Sequence, residues 1–257
     1  MSDEAHLDIS ALTVAFGGIT ALDDVSFRVA PHTICGLIGP NGAGKTTCFN
    51  CISGLYRPRR GRISFRGQDL LGLRRHDIAL RGIGRTFQNL ALFPSMTVRS
   101  NVLVGGHARA HGGFLAHMAR TPAVRRAEQA LEARVEQLLA RFGLEGVADT
   151  PIEALNFATQ KRVELARALA GEPSLLILDE PAAGLNHEEV GQLADEIRAL
   201  RDRDGLTVLL VEHHMNLVMQ VSDQVVVLNF GRKIADGQPA SVYTHPDVVN
   251  AYLGVPS

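Results

Sequence analysis

Between Gly39 and Thr47 the chain reads Gly39-Pro40-Asn41-Gly42-Ala43-Gly44-Lys45-Thr46-Thr47, the G-x-x-x-x-G-K-T spacing of a loop that cradles phosphate. A nucleoside triphosphate packs several negative charges into a small volume, and backbone N–H groups are the densest donors a protein can bring to it. Glycines let that backbone approach phosphate without Cβ clashes. A helix starting there also turns its positive dipole end to the same anion. Lys45 then reaches the β- and γ-phosphates, and the Thr46 hydroxyl completes a magnesium shell. A glycine-rich turn can be purely structural, but lysine and threonine placed behind an apolar strand point to nucleotide binding.

A second cluster suits the same chemistry. The apolar run Ser174 to Leu178 ends in Asp179-Glu180. An aspartate at such a strand end is placed to hold magnesium, and the adjacent glutamate to order and deprotonate an attacking water. Such a pair is weak evidence alone and strong evidence downstream of a phosphate loop. The strand-like run Thr207 to Val211 ends in Glu212-His213-His214. His213 can bridge the γ-phosphate and Glu180, or be satisfied locally.

The elements that must position these residues follow from periodicity. Thr33 to Ile38 is apolar and β-prone, a buried parallel strand ahead of the loop. Thr47 to Ile52 has no helix breaker and starts a helix. Leu7 to Phe16 and Ala21 to Val29, separated by Gly17-Gly18, predict an antiparallel pair. Phe16 is placed either to stack on a purine or to pack in the core. Short strands are expected at Arg62 to Phe65 and Ile83 to Gln88. Asn89 to Val98 is apolar without helical or strand period, a loop packed under something or a docking patch. Residues 105 to 122 read as a solvated mobile segment; His107, His111 and His117 have no acidic or cysteine ligands beside them.

The remaining chain is more regular. Val124, Ala127, Leu131, Val135, Leu138 and Phe142 recur at helical steps until Gly143. Asn156 is a good N-cap for a helix carrying Val163, Ala166, Leu169 and Ala170 on one face. Asn186 and Glu189 form a capping-box pattern before Val190, Leu193, Ile197 and Leu200, with Gly205 closing that helix. Gln224 to Asn229 and Lys233 to Ala235 are the last expected strands.

Composition bounds the function. The chain has 257 residues and a net charge of −1, which argues against a nucleic-acid footprint. Three cysteines, an odd number, speak against a disulfide framework. Cys48 and Cys51 form a C-x-x-C on the helix leaving the loop, where buried, inert thiols are the expectation. Met1 to His6 is acidic and has no apolar core, unlike a secretory signal. The longest apolar runs, such as Leu175 to Leu178, are strand length. A soluble protein is expected, brought to any membrane by another chain.

Together these residues resemble, end to end, an ATP-binding cassette ATPase. Within that superfamily the sequence is similar to the ATP-binding subunits of branched-chain amino-acid importers. The resemblance is carried by Phe16-Gly17-Gly18, Gly39 to Thr47, Arg85-Thr86-Phe87-Gln88-Asn89, Leu178 to Asn186, Val211-Glu212-His213 and Ala251-Tyr252-Leu253-Gly254. It implies an α/β fold: a P-loop NTPase core, mainly parallel sheet flanked by helices, with an antiparallel β subdomain and an inserted helical subdomain. In the single domain so implied, core and β subdomain span roughly 1–88 and 168–257, and the helical subdomain roughly 89–167. The segment near 105–122 resembles that subfamily's insertion.

The resemblance also implies roles. Phe16 would stack on adenine; Gly39, Pro40, Asn41, Gly42, Ala43, Gly44, Lys45, Thr46 and Thr47 would bind the phosphates of ATP. Thr46, Gln88 and Asp179 would hold Mg2+, and Glu180, His213, Lys45 and Gln88 would carry catalysis. Asn89 to Val98 would meet a permease. The implied partners are two transmembrane permease subunits, a second cassette subunit or another copy of this chain, and an external substrate-binding protein. Two cassettes close head to tail over two ATP molecules, each nucleotide lying against the other subunit's signature helix. The implied location is the cytoplasmic face of the inner membrane. Two alternatives are an ATPase for lipopolysaccharide or lipid export and a soluble cassette serving DNA repair or translation.

The match fails at the signature. Instead of L-S-G-G-Q the chain has Leu155-Asn156-Phe157-Ala158-Thr159. Asn156 can offer its amide where serine offers a hydroxyl, while Ala158 adds a methyl group where phosphate comes nearest. An asymmetric pair is expected, with a competent phosphate loop here but a weak signature offered to the partner's ATP. The family's aspartate after the histidine is also replaced, by His214.

Overall fold

The computed structural model describes residues 5–86, 90–107 and 122–253. They form two compact units, Met1–Ile78 with Ser174–Ser257, and Ala79–Pro173.

The first unit opens with a hairpin of β1 (Leu7–Phe16) and β2 (Ile19–Val29), with Phe16 opposite Ile19 and Leu7 opposite Val29. β2 begins two residues before the expected Ala21, because Gly17-Gly18 alone makes the turn. The apolar pattern of β1 changes parity midway: Leu7 and Ile9 are buried, then Leu12 and Val14. A strict alternation would turn one of these pairs to solvent. A register irregularity between Ile9 and Leu12, with Ala11 at φ 51, absorbs the extra residue and keeps both pairs inside. β4 (Arg60–Phe65) and β5 (Gln68–Asp69) extend this sheet in the order β2-β1-β4-β5.

The second sheet of this unit carries the chemistry. β3 (Ile34–Ile38), β7 (Leu175–Asp179) and β8 (Thr207–Val211) are buried along their whole length. Continuous apolar strands of this kind suit a parallel sheet covered on both faces. β8 lies between β3 and β7, parallel to both, and β9 (Gln224–Asn229) pairs parallel on the other side of β3. β10 (Arg232–Gly237) closes the edge antiparallel to β9. The helix α1 (Lys45–Ile52) follows β3 directly and buries Cys48, Phe49, Cys51 and Ile52. Helix His187–Asp202 has the full capping box: Asn186 Oδ1 accepts from Glu189 N–H at 3.0 Å, and the Glu189 carboxylate accepts from Asn186 N–H at 2.8 Å. Helices Met215–Val221, Pro239–Tyr243 and Pro246–Leu253 complete the unit. These three are too short for a helical period to stand out in the sequence.

The second unit is mainly helical, with Val98–Gly106, Pro122–Arg141 and Phe157–Ala170 as its main helices. Val124, Val135, Leu138 and Phe142 are buried, as the helical spacing of 124–142 predicts. Two expectations need correction at their ends. Of the strand expected over Ile83 to Gln88, β6 (Ile83–Arg85) is present and Thr86 leaves strand geometry, while Phe87 and Gln88 lie outside the described residues. Val98, placed at the end of an irregular segment, and Gly105 and Gly106, placed in a mobile one, are instead the two ends of a helix, Val98–Gly106. Its start is fixed by Thr97, whose hydroxyl accepts from Ser100 N–H at 3.2 Å. Buried Asn101 then anchors the preceding loop: its Oδ1 accepts from Phe93 N–H at 2.8 Å, and its Nδ2 donates to Phe93 O and Thr97 O. Leu92 is buried in that loop and Phe93 exposed. Gln88, Asn89, His111 and His117 lie outside the described residues.

Among the described residues no helix is long and apolar enough to cross a membrane. Replacing Asn186 by alanine removes the side-chain acceptor for Glu189 N–H and leaves only the backbone half of the box, so stability should fall by about 1 kcal/mol. Chemical denaturation of the purified chain measures this as a lower midpoint with unchanged slope.

Candidate functional site

Three neighbouring parallel strands, β3, β8 and β7, all end on the same edge of the sheet. Each delivers one functional segment there: the phosphate loop, Glu212-His213-His214 and Asp179-Glu180. Ligand sites in open α/β sheets lie outside the carboxyl ends of the strands.

The loop is held from below by strands distant in sequence. A Cβ on Gly39 would lie 2.1 Å from Leu228 O of β9, and one on Gly44 would lie 2.7 Å from Ala21 O of β2. Gly44 also has φ 101, a left-handed backbone that disfavours any side chain. Gly231 N–H, in the turn between β9 and β10, donates to Ala43 O at 3.0 Å. Ala43 N–H turns inward to Pro40 O at 3.1 Å.

The first turn of α1 is prepared for an anion. Its N-cap is Gly44, no side chain caps it, and no acidic residue lies in that turn. The helices beginning at Val98, Phe157 and His187 instead receive caps from Thr97, Asn156 and Asn186. The N-terminal N–H groups of α1 and its dipole are therefore left to an outside acceptor. Lys45 is buried, and its Nζ donates to Gly39 O at 2.6 Å and Pro40 O at 3.0 Å. Burial lowers its pKa, opposed by the charges of Glu180, Glu212 and Asp179. Thr46 is exposed and Thr47 half-buried at the mouth of the loop.

Asp179 is 2% exposed at the last position of β7. Glu180 follows at φ 47, a left-handed conformation that costs a non-glycine residue roughly 1–3 kcal/mol. Its N–H donates to Val211 O at 2.8 Å, which ties it to the end of β8. His213 is exposed, with Nδ1 3.8 Å from Glu180 Oε1 and 3.7 Å from Glu212 Oε2. His214 is also exposed; its ring lies 4.5 Å from that of His213, and it makes no side-chain cap for the helix it precedes. Glu212, His213 and His214 bring ligand atoms within 4.8 Å of one another. The Glu212 oxygens, however, already accept three backbone N–H groups, from Ala182, His213 and His214, so the trio is poorly suited to a metal.

Phe16 ends β1, 45% exposed, with its ring edge-on to Tyr56 at 5.0 Å between centroids. Its hairpin partner Ile19 lies two residues before Ala21, whose carbonyl abuts Gly44. Thus Lys45, Asp179, Glu180 and His213 converge, and Phe16 sits on the hairpin that borders the loop. Asn156 and Ala158 belong to the helical unit. There Asn156 Oδ1 accepts from Thr159 N–H at 2.9 Å, so only its Nδ2 end is left to donate. The expected ligand Gln88 lies outside the described residues.

Sequence reasoning passed over Glu212 and Tyr56. An acidic residue directly after the apolar run Val208–Val211 was the available signal, since a carboxylate there is buried and needs partners. No comparable signal marked Tyr56.

The cysteines behave as expected of inert thiols. All three are buried; burial pushes the Cys51 thiol up to about 11 and raises Cys35 and Cys48 further. Iodoacetamide at pH 8 should leave the native chain unlabelled and modify all three thiols after denaturation, a difference that intact-mass measurement resolves.

Comparison with known proteins follows the same lines. The family model described as ABC transporter matches residues 22–183. The chain is 44% identical over 248 residues to the high-affinity branched-chain amino acid transport ATP-binding protein BraF of Pseudomonas aeruginosa, covering 96% of this chain and 97% of that one. It is 43% identical, with the same coverage, to the protein LivG of Escherichia coli, which carries the same description. A crystal structure of a nucleotide-free ATP-binding cassette from an ABC transporter superposes with TM-score 0.84 at 28% identity, covering 96% of this chain and 98% of that one.

Proposed function

The chain belongs to the ABC transporter family of ATP-binding cassettes, and from that premise we propose that it is the ATP-hydrolysing subunit of a membrane importer for branched-chain or related amino acids. The convergence of Lys45, Asp179, Glu180 and His213 at one sheet edge carries the ATPase reading. The full-length similarity to BraF and LivG supports amino-acid import over lipid export or soluble work.

The triphosphate is received by the N–H groups that open α1. Lys45 exchanges the carbonyls of Gly39 and Pro40 for β- and γ-phosphate oxygens, and Phe16 offers its exposed ring to adenine. The Thr46 hydroxyl and the Asp179 carboxylate are hard oxygen donors of the kind magnesium takes, and they fit it. Gln88 joins them in the proposed set. The ion would neutralise charge on the β- and γ-phosphates. Glu180 orders the attacking water and accepts its proton, and His213 holds the γ-phosphate in line. Positioning and electrostatic stabilisation supply nearly all of the rate.

The remaining assembly is inferred in the same way. Two cassettes, this chain with a second subunit or with another copy, close over ATP and drive two permease subunits. The permeases hold the chain at the cytoplasmic face of the inner membrane, and an external binding protein delivers the cargo. Residues 89–98 form the proposed permease-facing surface. The Asn156 cap turns the amide oxygen away from duty toward phosphate and leaves only the Nδ2 amide to donate, while Ala158 keeps a methyl group beside it. Where the partner is a second, different subunit, the site built on this signature is therefore the slower of the pair.

Two experiments on the reconstituted complex check these roles. Lys45→Ala should abolish hydrolysis, whereas Glu180→Gln should still bind ATP, trap the closed pair on size exclusion and lose about 100-fold or more in rate. Normal turnover by Glu180→Gln would remove Glu180 as the base. Restoring Asn156→Ser with Ala158→Gly returns the family's short hydroxyl donor, removes the methyl group and should raise the ATPase rate about tenfold; an unchanged rate would retire the asymmetric pair.

A further inference from the structure

Glu212 has no part in the chemistry described above, yet it is the most completely enclosed carboxylate near the site, with 0% exposure. A carboxylate only accepts hydrogen bonds, and this one meets three backbone donors from two different turns. Oε1 accepts from Ala182 N–H at 2.9 Å, in the turn that follows Glu180. Oε2 accepts from His213 N–H at 2.8 Å and His214 N–H at 3.0 Å, in the turn that carries the histidine. The tie is reinforced one residue before Glu212 and two before Ala182, where Glu180 N–H donates to Val211 O.

We propose that Glu212 is a positioning residue that joins the turn after Glu180 to the histidine turn, so that the water-activating carboxylate and the phosphate-holding imidazole keep one fixed relation. Three features converge on this. Glu180 sits in a left-handed backbone at φ 47, which persists only where neighbouring contacts over-determine it. Ala182, two residues on, supplies one of those contacts through Glu212. His213 Nδ1 lies between the two carboxylates, at 3.8 Å and 3.7 Å, so a shift of either turn changes its distance to Glu180. The inference rests on the ATPase reading given above.

Glu212→Gln tests it with almost no change in volume. The amide keeps one acceptor oxygen and turns an NH2 group toward backbone donors, so at least one turn loses its acceptor. Using the transporter complex isolated through a tag on this chain, with magnesium-ATP as probe, kcat should fall about tenfold while KM stays within about threefold. A role confined to holding the turns should also be non-additive with His213→Ala: the double variant should be no slower, within about twofold, than His213→Ala alone. Hydrogen exchange should quicken together in residues 180–186 and 212–216 and stay unchanged in Ile34–Ile38.

An unchanged kcat, full additivity, exchange that rises in only one turn, or exchange that rises throughout the chain would each overturn the proposal. Should Glu212→Gln fail to fold, Glu212→Asp applies the same comparisons, because it keeps the acceptors but withdraws them by one methylene. A wild-type complex without magnesium-dependent hydrolysis would instead sink the ATPase reading itself, an outcome distinct from an active complex indifferent to Glu212.

Discussion

A dense anion has to be gripped at a place where the protein also keeps three carboxylates. Asp179, Glu180 and Glu212 all act on the Lys45 ammonium, and any phosphate seated there feels the same three charges. One lysine cannot balance them. The excess is met by backbone: the N–H groups that open α1 are kept clear of side-chain caps, and the Glu212 charge is covered by three amides of its own. Backbone dipoles are fixed by the fold and need no reorganisation when charge arrives or moves, which is why they suit phosphoryl transfer.

The parallel sheet makes that arrangement possible. Because β3, β8 and β7 are adjacent and parallel, the residues that follow them emerge side by side although they lie far apart in sequence. Their apolar interiors bind the sheet into a rigid plate, so small displacements at the rim are resisted. The phosphate loop is braced from the other side by Leu228, Gly231 and Ala21, which leaves room only for glycine at Gly39 and Gly44. Local strain at Glu180 is tolerable within such a frame.

The helical unit poses a different physical problem. Its helix Phe157–Ala170 keeps a good N-cap in Asn156, and the contact proposed above with a partner's phosphate would draw on the same side chain. A serine hydroxyl both donates and accepts; in Asn156 the accepting oxygen serves the helix and the amide is left to donate.

Features that depend on local spacing were legible along the chain. The phosphate loop, the two strand-end acidic and histidine segments, the Asn156 cap and the Asn186–Glu189 box each rest on contacts a few residues apart. Their geometry follows once the backbone has the right class. The buried strands were legible too, because a run apolar on both faces has few other uses. Helix Val98–Gly106 was not: its buried face mixes Val98 and Val102 with Asn101, which ties back the Phe93 loop, and with glycine, and such a face leaves little hydrophobic period. Which segments meet became visible only in the folded chain. The parity shift at Ala11, the bracing of the loop by β2 and β9, the pairing of Phe16 with Tyr56 and the bond from Ala182 N–H to Glu212 all join residues distant in the chain. Periodicity records which side of an element faces inward, but it carries no term for what waits there.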